Sequence, residues 1–582
     1  MKYVKKFFAL PELYCVLCLL LAIAAGVYSR VSIQNVYLMK GDVRSPVTMP
    51  VAQRMGEGEH FQVEFDIVGN GPYDLRVIPD DCAKGVVING NMLRLKGIPG
   101  NCDYSRGFLL PDSLTAPMRV GKSTHYAFMM KNNGGTAGLN VVVSHKSVLA
   151  DAAKVVALFA LAFLCLFLAR RLRFGWGLTF LIFAAVLFRA FFFANNAYTT
   201  YAHDVDAHVE YVQYIIENKA IPDVNDCWTC YHPPVYYIAA SPSFIAGEHF
   251  GYPGTTGLQV FSLLLSVLTL YFGLLFLRGF LSGSALGIAS VLWAFWPVMI
   301  LVSPRIGNDQ MFYMLHMLCM WGGLSYLRSG RGKFLIVAVI ATALAMWTKT
   351  TAVVTLGTLV LFTASGYVLN ARSLKPTRSE VVAWGLLFAL VVAVALQRLL
   401  GDADLVGNSS GLNNRLKVGN EAVNYMFFDL KTFLTHPFTN AWDDDLGRQY
   451  FWNYSLKTSL FGEFELVRSV LGRNLATVVN CSFLGLVVYA ARGFWKTKLR
   501  AIHWILLLQG VAFFAALMFL RIKHPYSCSN DFRYILPVIM CFIPFVAQGI
   551  TLEGASTKWK VLGYALTFAF VAGVAVLYIL AM

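Results

Sequence analysis

Titratable side chains lie between two long apolar runs in the stretch HDVDAHVEY, residues 203–211. Asp204 and His208 are four residues apart, so a helix here would present both on one side, while Asp206 would point elsewhere. A carboxylate at the mouth of a membrane cavity loses hydration, which raises its pKa towards the working pH and suits a general base. A carboxylate of this stretch is therefore a candidate general base, and an interfacial helix with ordinary solvated acids is the alternative.

A second polar stretch, CWTCYHPPVYY at residues 227–237, follows in the same region. The two prolines favour a stiff, extended turn, with the tyrosines along the membrane boundary. His232 is a candidate phosphate ligand or the cap of a structural turn. Cys227 and Cys230 are expected to form a local disulfide, with a bond to Cys528 as the alternative. Zinc is less favoured, because zinc sites usually show a clearer four-ligand spacing.

Three distant stretches, PRIGND at 304–309, WTKTT at 347–351 and NDFRYILP at 530–537, carry cations near the ends of apolar runs. An unpaired cation is unfavourable there, although each could be a snorkelling interface anchor. The candidate phosphate ligands are His232, Arg305, Lys349 and Arg533. Cations and acids at one membrane level suit a substrate with an anionic head group and a lipid tail.

The composition indicates a polytopic membrane protein, because 57% of the 582 residues are hydrophobic and the mean hydropathy is +0.58. The net charge of +16 does not indicate a nucleic-acid partner, since the basic residues form short clusters at alternate loops, as the positive-inside rule requires. These clusters lie at 2–6, 170–173, 328–333, 372–378, 496–500 and 558–560. The first 29 residues are interpreted as an uncleaved anchor helix with a cytoplasmic N-terminus.

Apolar runs of spanning length predict about thirteen transmembrane helices. They lie near 11–29, 148–169, 175–194, 256–277, 284–303, 309–327, 334–348, 350–369, 381–399, 474–491, 502–520, 534–551 and 561–582. With this count, every basic cluster lies on the cytoplasmic side. The two runs within 334–369 are interrupted by WTKTT, and either of them could instead be a short or re-entrant segment. The predicted domains are the anchor at 1–29, an extracytoplasmic domain at 30–147, and a transmembrane module at 148–582 with outer loops at 195–255 and 400–473.

The segment 30–147 has the pattern of a small β-sandwich. HFQVEFDIVG, residues 60–69, alternates apolar and polar side chains, and Asn89-Gly90 between two alternating runs predicts a hairpin. Cys82 and Cys102 are expected to form a disulfide, because a domain outside the cytoplasm is in an oxidising environment.

The order of these motifs resembles the GT-C superfamily of glycosyltransferases, in particular the protein O-mannosyltransferases and the aminoarabinose transferases that modify lipid A. The resemblance covers residues 175–550 and is carried by the acid-His-Tyr order at 204–211, HPPVYY, the Thr-Lys pair at 348–349 and RYILP. Asp204 matches the catalytic carboxylate of these enzymes, and His232 stands where they carry a lysine before Pro-Pro. The segment 30–147 is outside the core of the superfamily and looks like an added module that contacts carbohydrate or acceptor.

The resemblance implies transfer of a sugar from a polyprenyl-phosphate carrier, with inversion, on the non-cytoplasmic face. Asp204, with Asp206 in reserve, would deprotonate an acceptor hydroxyl, and Arg533, Lys349 and His232 would hold the leaving phosphate. The candidate contacts of the sugar or the acceptor are His208, Tyr211, Tyr236 and Tyr534. The acceptor would be a protein such as a pilin, a glycolipid or a polysaccharide, and membrane lipid would surround an apolar groove for the prenyl chain. No cofactor is required; a metal-dependent variant would need a second acidic cluster, for which WDDD at 442–445 is the candidate.

The alternative function is a lipid-linked sugar flippase or transporter that uses the same titratable residues as a path. The polar residues are concentrated near the span ends, with Arg189 as the main exception, and this distribution favours the enzyme. The expected location is the bacterial inner membrane, with the active site facing the periplasm.

Overall fold

The structure, a computed structural model, describes two regions of different architecture, a β-sheet region and a helical region. The described residues are 10–28, 32–69, 73–80, 82–104, 107–110, 115–118, 123–133, 136–145, 148–250, 252–369, 377–400, 414–442 and 447–582. The basic cluster at 2–6, most of the cluster at 372–378 and the three acids Asp443–Asp445 of the WDDD motif lie outside the described residues.

The described β-sheet region contains two antiparallel sheets. Its strands are β1 (Ser32–Lys40), β2 (Val43–Pro46), β3 (Val51–Arg54), β4 (His60–Val68), β5 (Tyr73–Asp80), β6 (Cys82–Ile88), β7 (Asn91–Arg94), β8 (Phe108–Leu109), β9 (Ser123–Lys131) and β10 (Thr136–His145). One sheet has the order β2-β1-β4-β9-β6-β7 and the other β3-β10-β5-β8. Apolar side chains from both sheets pack into one core, because alternate residues of each strand point to the same face.

Two local predictions for this region are confirmed. Ile88 pairs with Asn91, and both residues between them have positive φ, 47° at Asn89 and 87° at Gly90, as a two-residue hairpin turn of type I′ requires. Cys82 and Cys102 form a disulfide, which holds the segment after β7 against the start of β6.

The helical region begins with an anchor-like helix and continues from residue 148 to the C-terminus. Its helices are α1 (Leu10–Tyr28), α2 (Val148–Arg171), α3 (Trp176–Asn195), α4 (Val205–Asn218), α5 (Val235–His249), α6 (Gly254–Arg278), α7 (Gly283–Ala294), α8 (Pro297–Leu301), α9 (Asp309–Ser329), α10 (Gly332–Met346), α11 (Val353–Leu369), α12 (Arg378–Leu400), α13 (Val423–Met426), α14 (Leu430–Thr435), α15 (Phe451–Phe461), α16 (Val470–Lys496), α17 (Ala501–Lys523), α18 (Ile539–Thr551) and α19 (Thr557–Ala581). Short 3₁₀ turns at Thr350–Ala352, Ser527–Asn530 and Phe532–Val538 connect some of them.

Seven described helical segments are long and apolar enough to cross a bilayer, which makes the chain an integral membrane protein. Shorter apolar helices occur at Pro11–Ala25, Gly283–Ala294, Gly332–Met346 and Thr350–Gly366. Each predicted span falls on helical chain, but the one at 284–303 is split before Pro297, where proline removes a backbone donor. The number of helices that cross the membrane remains a prediction.

Close backbone contact between α16 and α18 fixes the helix that follows the RYILP motif. A side chain at Gly493 would collide with the carbonyl of Phe545, and one at Gly549 would collide with the carbonyl of Tyr489. Small residues allow two helix backbones to approach, which is a common packing mode in membranes. This contact orients α18, and with it the short turn at Phe532–Val538 that carries Arg533.

Candidate active site

Four segments that are far apart in the sequence meet at one end of the helical region. They are the loop after α3, the link between α8 and α9, the link between α10 and α11, and the turns between α17 and α18. Each segment contributes at least one charged side chain, and their ion pairs connect the segments to each other. The tertiary structure therefore brings together Asp204, Lys349 and Arg533, which the sequence analysis selected separately.

Asp204 is the exposed carboxylate of this group. It is the N-cap residue of α4 with φ 56° and ψ 15°, and its side chain makes no capping hydrogen bond. Few residues other than glycine occupy this left-handed region, although aspartate is among those that tolerate it. Its side chain is 46% exposed, and its Oδ2 lies 4.0 Å from Nη2 of Arg533. The unusual backbone directs the carboxylate to the cation instead of to its own helix.

Asp206 has a different environment, although only one residue separates it from Asp204. It is partly buried, and its Oδ1 accepts a hydrogen bond of 3.2 Å from the hydroxyl of Tyr198. Burial raises the pKa of Asp206, and the hydrogen bond from Tyr198 opposes that rise. The two carboxylates point in different directions, because Asp204 has a left-handed backbone at the N-cap whereas Asp206 lies in the first turn of α4.

Arg533 lies between two carboxylates at the start of the turn that precedes α18. Its Nε is 2.9 Å from Oδ2 of Asp531, a buried residue whose other oxygen accepts a hydrogen bond from the backbone N–H of Arg533. Its Nη2 donates to the hydroxyl of Tyr534 at 3.2 Å. The side chain of Arg533 is 10% exposed, so Asp531 fixes the buried side of the guanidinium while the other side faces Asp204.

Lys349 lies in the predicted interruption of an apolar run. It follows α10 and forms an ion pair with Asp309, the first residue of α9. Its Nζ is also 4.9 Å from the centre of the Tyr534 ring, within the range of a cation–π contact. Burial lowers the pKa of Lys349, and the charge of Asp309 opposes this by favouring the ammonium form.

Arg305 completes the group of cations. Its Nη2 donates a hydrogen bond of 3.2 Å to the backbone carbonyl of His203, and the residue is 9% exposed. Burial lowers the pKa of Arg305, and repulsion from the nearby charge of Arg533 adds to the effect. Two guanidinium groups that repel each other in a partly closed space favour a bound anion.

His208 and His232 lie beside this charged group in a stack of aromatic rings. Nδ1 of His208 is 2.8 Å from the hydroxyl of Tyr237, and the His232 ring stacks on His208 with a centroid distance of 5.8 Å. Burial lowers the pKa of His208 to about 3, so this imidazole is neutral. The structure places His232 next to His208, and its role in holding phosphate remains a proposal.

Tyr211 and Tyr236 differ from the sequence-based expectation that they contact the sugar or the acceptor. Tyr211 stacks on Tyr237 with ring centroids 3.7 Å apart, and the Tyr236 hydroxyl accepts a hydrogen bond from the backbone of Gly307. Both side chains are fully buried. Because no part of either ring reaches an open surface, they build the wall that supports His208. Tyr534 is only partly buried and remains a candidate contact.

The sequence analysis missed three acids, namely Asp309, Asp531 and Glu463. Asp309 and Asp531 belong to the quoted PRIGND and NDFRYILP motifs, and a buried cation needs a nearby counter-charge. That requirement was a usable signal. Glu463 had no such signal, because it lies in an outer-loop sequence with several acids.

Glu463 is joined to the site by His203, the neighbour of Asp204. Its Oε2 is 3.5 Å from Nε2 of His203, and its Oε1 accepts a hydrogen bond of 2.5 Å from the Tyr454 hydroxyl. Burial and then repulsion from Asp531 raise the pKa of Glu463 to about 8. The raised pKa favours the protonated form of this carboxyl group.

The second predicted disulfide is also present. Cys227 and Cys230 are bonded to each other, and Cys528 is a free thiol, so the alternative bond to Cys528 is wrong. The closed ring immediately precedes His232 and the two prolines, and it restrains the loop that leads into α5. Among the described residues, no three His, Cys, Asp or Glu side chains are grouped as metal ligands.

No protein-family model matches the chain, and no curated protein matches it in sequence. Solved structures that are similar include two of the oligosaccharyltransferase of the archaeon Archaeoglobus fulgidus. One, called AglB, is in complex with an inhibitory peptide and a dolichol-phosphate, with a TM-score of 0.36 and 13% identity. The other is the apo form, with a TM-score of 0.40 and 13% identity. In both cases the match covers 69% of this chain and 55% of the other.

The arabinosyltransferase EmbB of Mycobacterium smegmatis is a further similar structure, with a TM-score of 0.31 and 12% identity. That match covers 96% of this chain and 65% of EmbB, so the chain spans only part of each of these proteins. The oligosaccharyltransferase and EmbB are members of the GT-C superfamily that the motif order resembles. The likeness is distant, and the chemistry of this chain has to be argued from its own side chains.

Proposed function

We propose that this protein is a membrane glycosyltransferase that moves a sugar from a polyprenyl-phosphate carrier to an acceptor hydroxyl by direct, inverting displacement. The observation that carries the proposal is the exposed carboxylate of Asp204 facing a group of mostly buried cations at the helix ends. A carboxylate can accept the proton of an acceptor, and buried cations can hold a departing phosphate.

In the proposed reaction, Asp204 takes the proton of the acceptor hydroxyl. The hydroxyl oxygen forms a bond to the anomeric carbon, and the bond from that carbon to the phosphate oxygen breaks. Its electron pair leaves with the polyprenyl phosphate, and attack from the opposite side inverts the anomeric centre. Asp206 is a weaker candidate for the base, because its carboxylate is partly buried and hydrogen bonded to Tyr198.

The cations differ in whether a carboxylate of the protein is already paired with them. Arg533 and Lys349 each have a carboxylate partner, Asp531 and Asp309, which holds them in place. Among the described residues Arg305 donates to a backbone carbonyl and has no carboxylate partner, so its charge remains for an anion. We assign the phosphate to Arg533, Arg305 and Lys349, with His232 at the edge of the group.

The membrane arrangement is part of the proposal. We propose about thirteen spans, a β-sandwich inserted between the first two, and a site on the periplasmic face of a bacterial inner membrane. The partners would be the lipid-linked donor, surrounding membrane lipid, and a protein or glycan acceptor. The chemistry needs no cofactor, since cationic side chains can stabilise a lipid monophosphate as it leaves.

The test is a transfer assay with the purified protein in lipid nanodiscs. Synthetic polyprenyl-phosphate sugars with pentose, hexose and amino-sugar heads would be offered, and release of polyprenyl phosphate would be measured. Mass spectrometry of envelope proteins and lipids, with and without the gene, would identify the missing sugar. A protein that moves labelled donor across a vesicle membrane but forms no new glycosidic bond would be a flippase, and the enzyme proposal would be wrong.

A further inference from the structure

A cavity of about 320 Å³ separates the β-sheet region from the outer part of the helical region. One wall is the segment 100–104, which the disulfide at Cys102 holds in place, and the other is the segment 463–468 between α15 and α16. Side chains that line it include Asn101, Asp103, Tyr104, Asn440, Phe464 and Arg468.

Polar contacts join the two regions at and near the cavity. Nη2 of Arg468 is 3.5 Å from Oδ2 of Asp103, and Asn140 of β10 donates a hydrogen bond of 3.3 Å to the Thr199 hydroxyl in the loop after α3. Each contact joins the β-sheet region to the helical region. The cavity is therefore built by both regions, and removal of either would abolish it.

His203, the residue before Asp204, packs against the residues that line the cavity. The ring of His203 stacks on Phe464 with centroids 4.7 Å apart and lies 6.2 Å from the ring of Tyr104. Glu463, the carboxyl partner of His203, also lines the cavity. The cavity therefore lies beside His203, the residue that precedes the proposed base in the chain.

The lining has the chemistry that binds a sugar. Aromatic side chains offer apolar faces to the C–H groups of a pyranose or furanose, while amides and carboxylates bind its hydroxyls. The volume is at the lower end of the range for small-ligand pockets, about 300–1,000 Å³. An extended peptide would need a longer groove or an open strand edge.

We propose that this cavity is a carbohydrate site that holds the sugar of the acceptor, so that the β-sheet region selects the acceptor. Its assignment as the acceptor site rests on the proposed function, whereas its capacity to bind carbohydrate does not. Tyr104 would contact the sugar ring, Asp103 and Asn101 would bind hydroxyls, and the buried Phe464 would support the cavity wall from behind. The bound hydroxyl that points towards His203 would be the one presented to Asp204.

The test is saturation-transfer NMR with the full-length protein in nanodiscs and a set of methyl glycosides. The set would contain the methyl glycosides of glucose, galactose, mannose, N-acetylglucosamine and arabinofuranose. We expect at least one of them to receive saturation from the wild-type protein. Tyr104→Ala and Arg468→Ala should each weaken that binding by about tenfold, the usual loss for a central contact.

Matched controls are available in the same region. Tyr37→Ala and Arg44→Ala remove a tyrosine and a paired arginine from β1 and β2, outside the cavity lining, and should bind as the wild type does. Absence of saturation for every glycoside in the wild type would overturn the inference, as would equal binding by Tyr104→Ala. The inference would also be overturned if a serine-containing peptide bound to the protein and no glycoside competed with it.

The two proposals can fail separately. If glycosides bind but the wild-type protein transfers no sugar from any donor, the carbohydrate site stands and the glycosyltransferase proposal is wrong. If transfer occurs, Tyr104→Ala should raise the acceptor KM more than it lowers kcat. Unchanged acceptor KM in Tyr104→Ala would remove the cavity from acceptor binding, and the transferase proposal would remain.

Discussion

Helix α9 carries two polar regions that differ in almost every physical property. Asp309, at its N-terminus, pairs with Lys349 in the charged group next to Asp204. Two turns further along, His316 is fully buried, with Nδ1 2.8 Å from the Thr355 hydroxyl and Nε2 in contact with the Gln509 amide. The first region is charged and open on one side. The second is neutral and enclosed by helices.

The difference shows that a polar side chain inside a membrane protein is not by itself a sign of function. Burying a neutral hydrogen-bonded group costs little, and such groups commonly join helices. Burying several charges at one place costs far more free energy, and a cluster of this kind therefore points to a substrate or a reaction that uses it. We therefore place the chemistry near Asp204 and assign His316 to helix packing.

The sharpest test of the comparison is Asp204→Asn against Asp206→Asn. The first keeps the shape of the side chain but cannot take a proton, so transfer should fall by about 10²–10⁴-fold. The second removes a charge that is already buried beside Tyr198, and transfer per folded molecule should stay close to the wild type. Initial rates of polyprenyl-phosphate release measure both. The opposite result would exchange the roles of the two carboxylates.

Arg533→Lys should have the next largest effect. Lysine keeps the charge and satisfies Asp531, but it cannot span Asp531 and a substrate phosphate with one planar group. Loss of a charged hydrogen bond of about 1.5–3 kcal/mol predicts a donor affinity that is about 10–100-fold weaker. Donor titrations would measure it, with Arg44→Lys in the β-sheet region as the control. An unchanged donor affinity would exclude Arg533 from the phosphate site.

His316→Ala tests the enclosed region. It leaves Thr355 and Gln509 without their partner, so the free energy of unfolding should fall by about 1–3 kcal/mol, while transfer per folded molecule should not change. Thermal unfolding in detergent micelles and the release assay would be measured on the same preparation. A loss of activity with unchanged stability would assign His316 to a substrate path and favour transport.

Glu463→Gln should change the pH dependence of stability, with the smallest effect on transfer. The pKa of Glu463 is raised from 4.5 to about 8, so the folded state binds more protons than the unfolded state between these values. Its contribution is complete below the unfolded pKa and is lost as the pH rises through about 8. The wild type should therefore lose more stability than Glu463→Gln between about pH 5 and about pH 9. If the stability of the two proteins changed equally with pH, this assignment would be contradicted.

Much of the local structure could be predicted from the sequence. The apolar runs predicted where helices lie, because long apolar segments satisfy their backbone groups only as helices in a bilayer. The Asn89-Gly90 hairpin and the bond Cys227–Cys230 were predicted from short-range patterns, and the bond Cys82–Cys102 was predicted from the oxidising location expected for the segment 30–147. Asp204 and Asp206 were expected on different sides of a helix; they do point apart, although Asp204 has a left-handed backbone at the N-cap and not a helical one.

The tertiary structure alone decided which charges meet and which rings are exposed. Tyr211 and Tyr236 have the composition of substrate contacts, yet packing encloses both. Asp309 and Glu463 became part of the site because segments far apart in the chain meet there, whereas Asp531 is only two residues from its partner Arg533. The periodic pattern of apolar residues predicts which side of a helix a residue takes, because that side depends only on residues close in the sequence. Charge pairing depends on contacts between distant segments, and only the folded chain determines those.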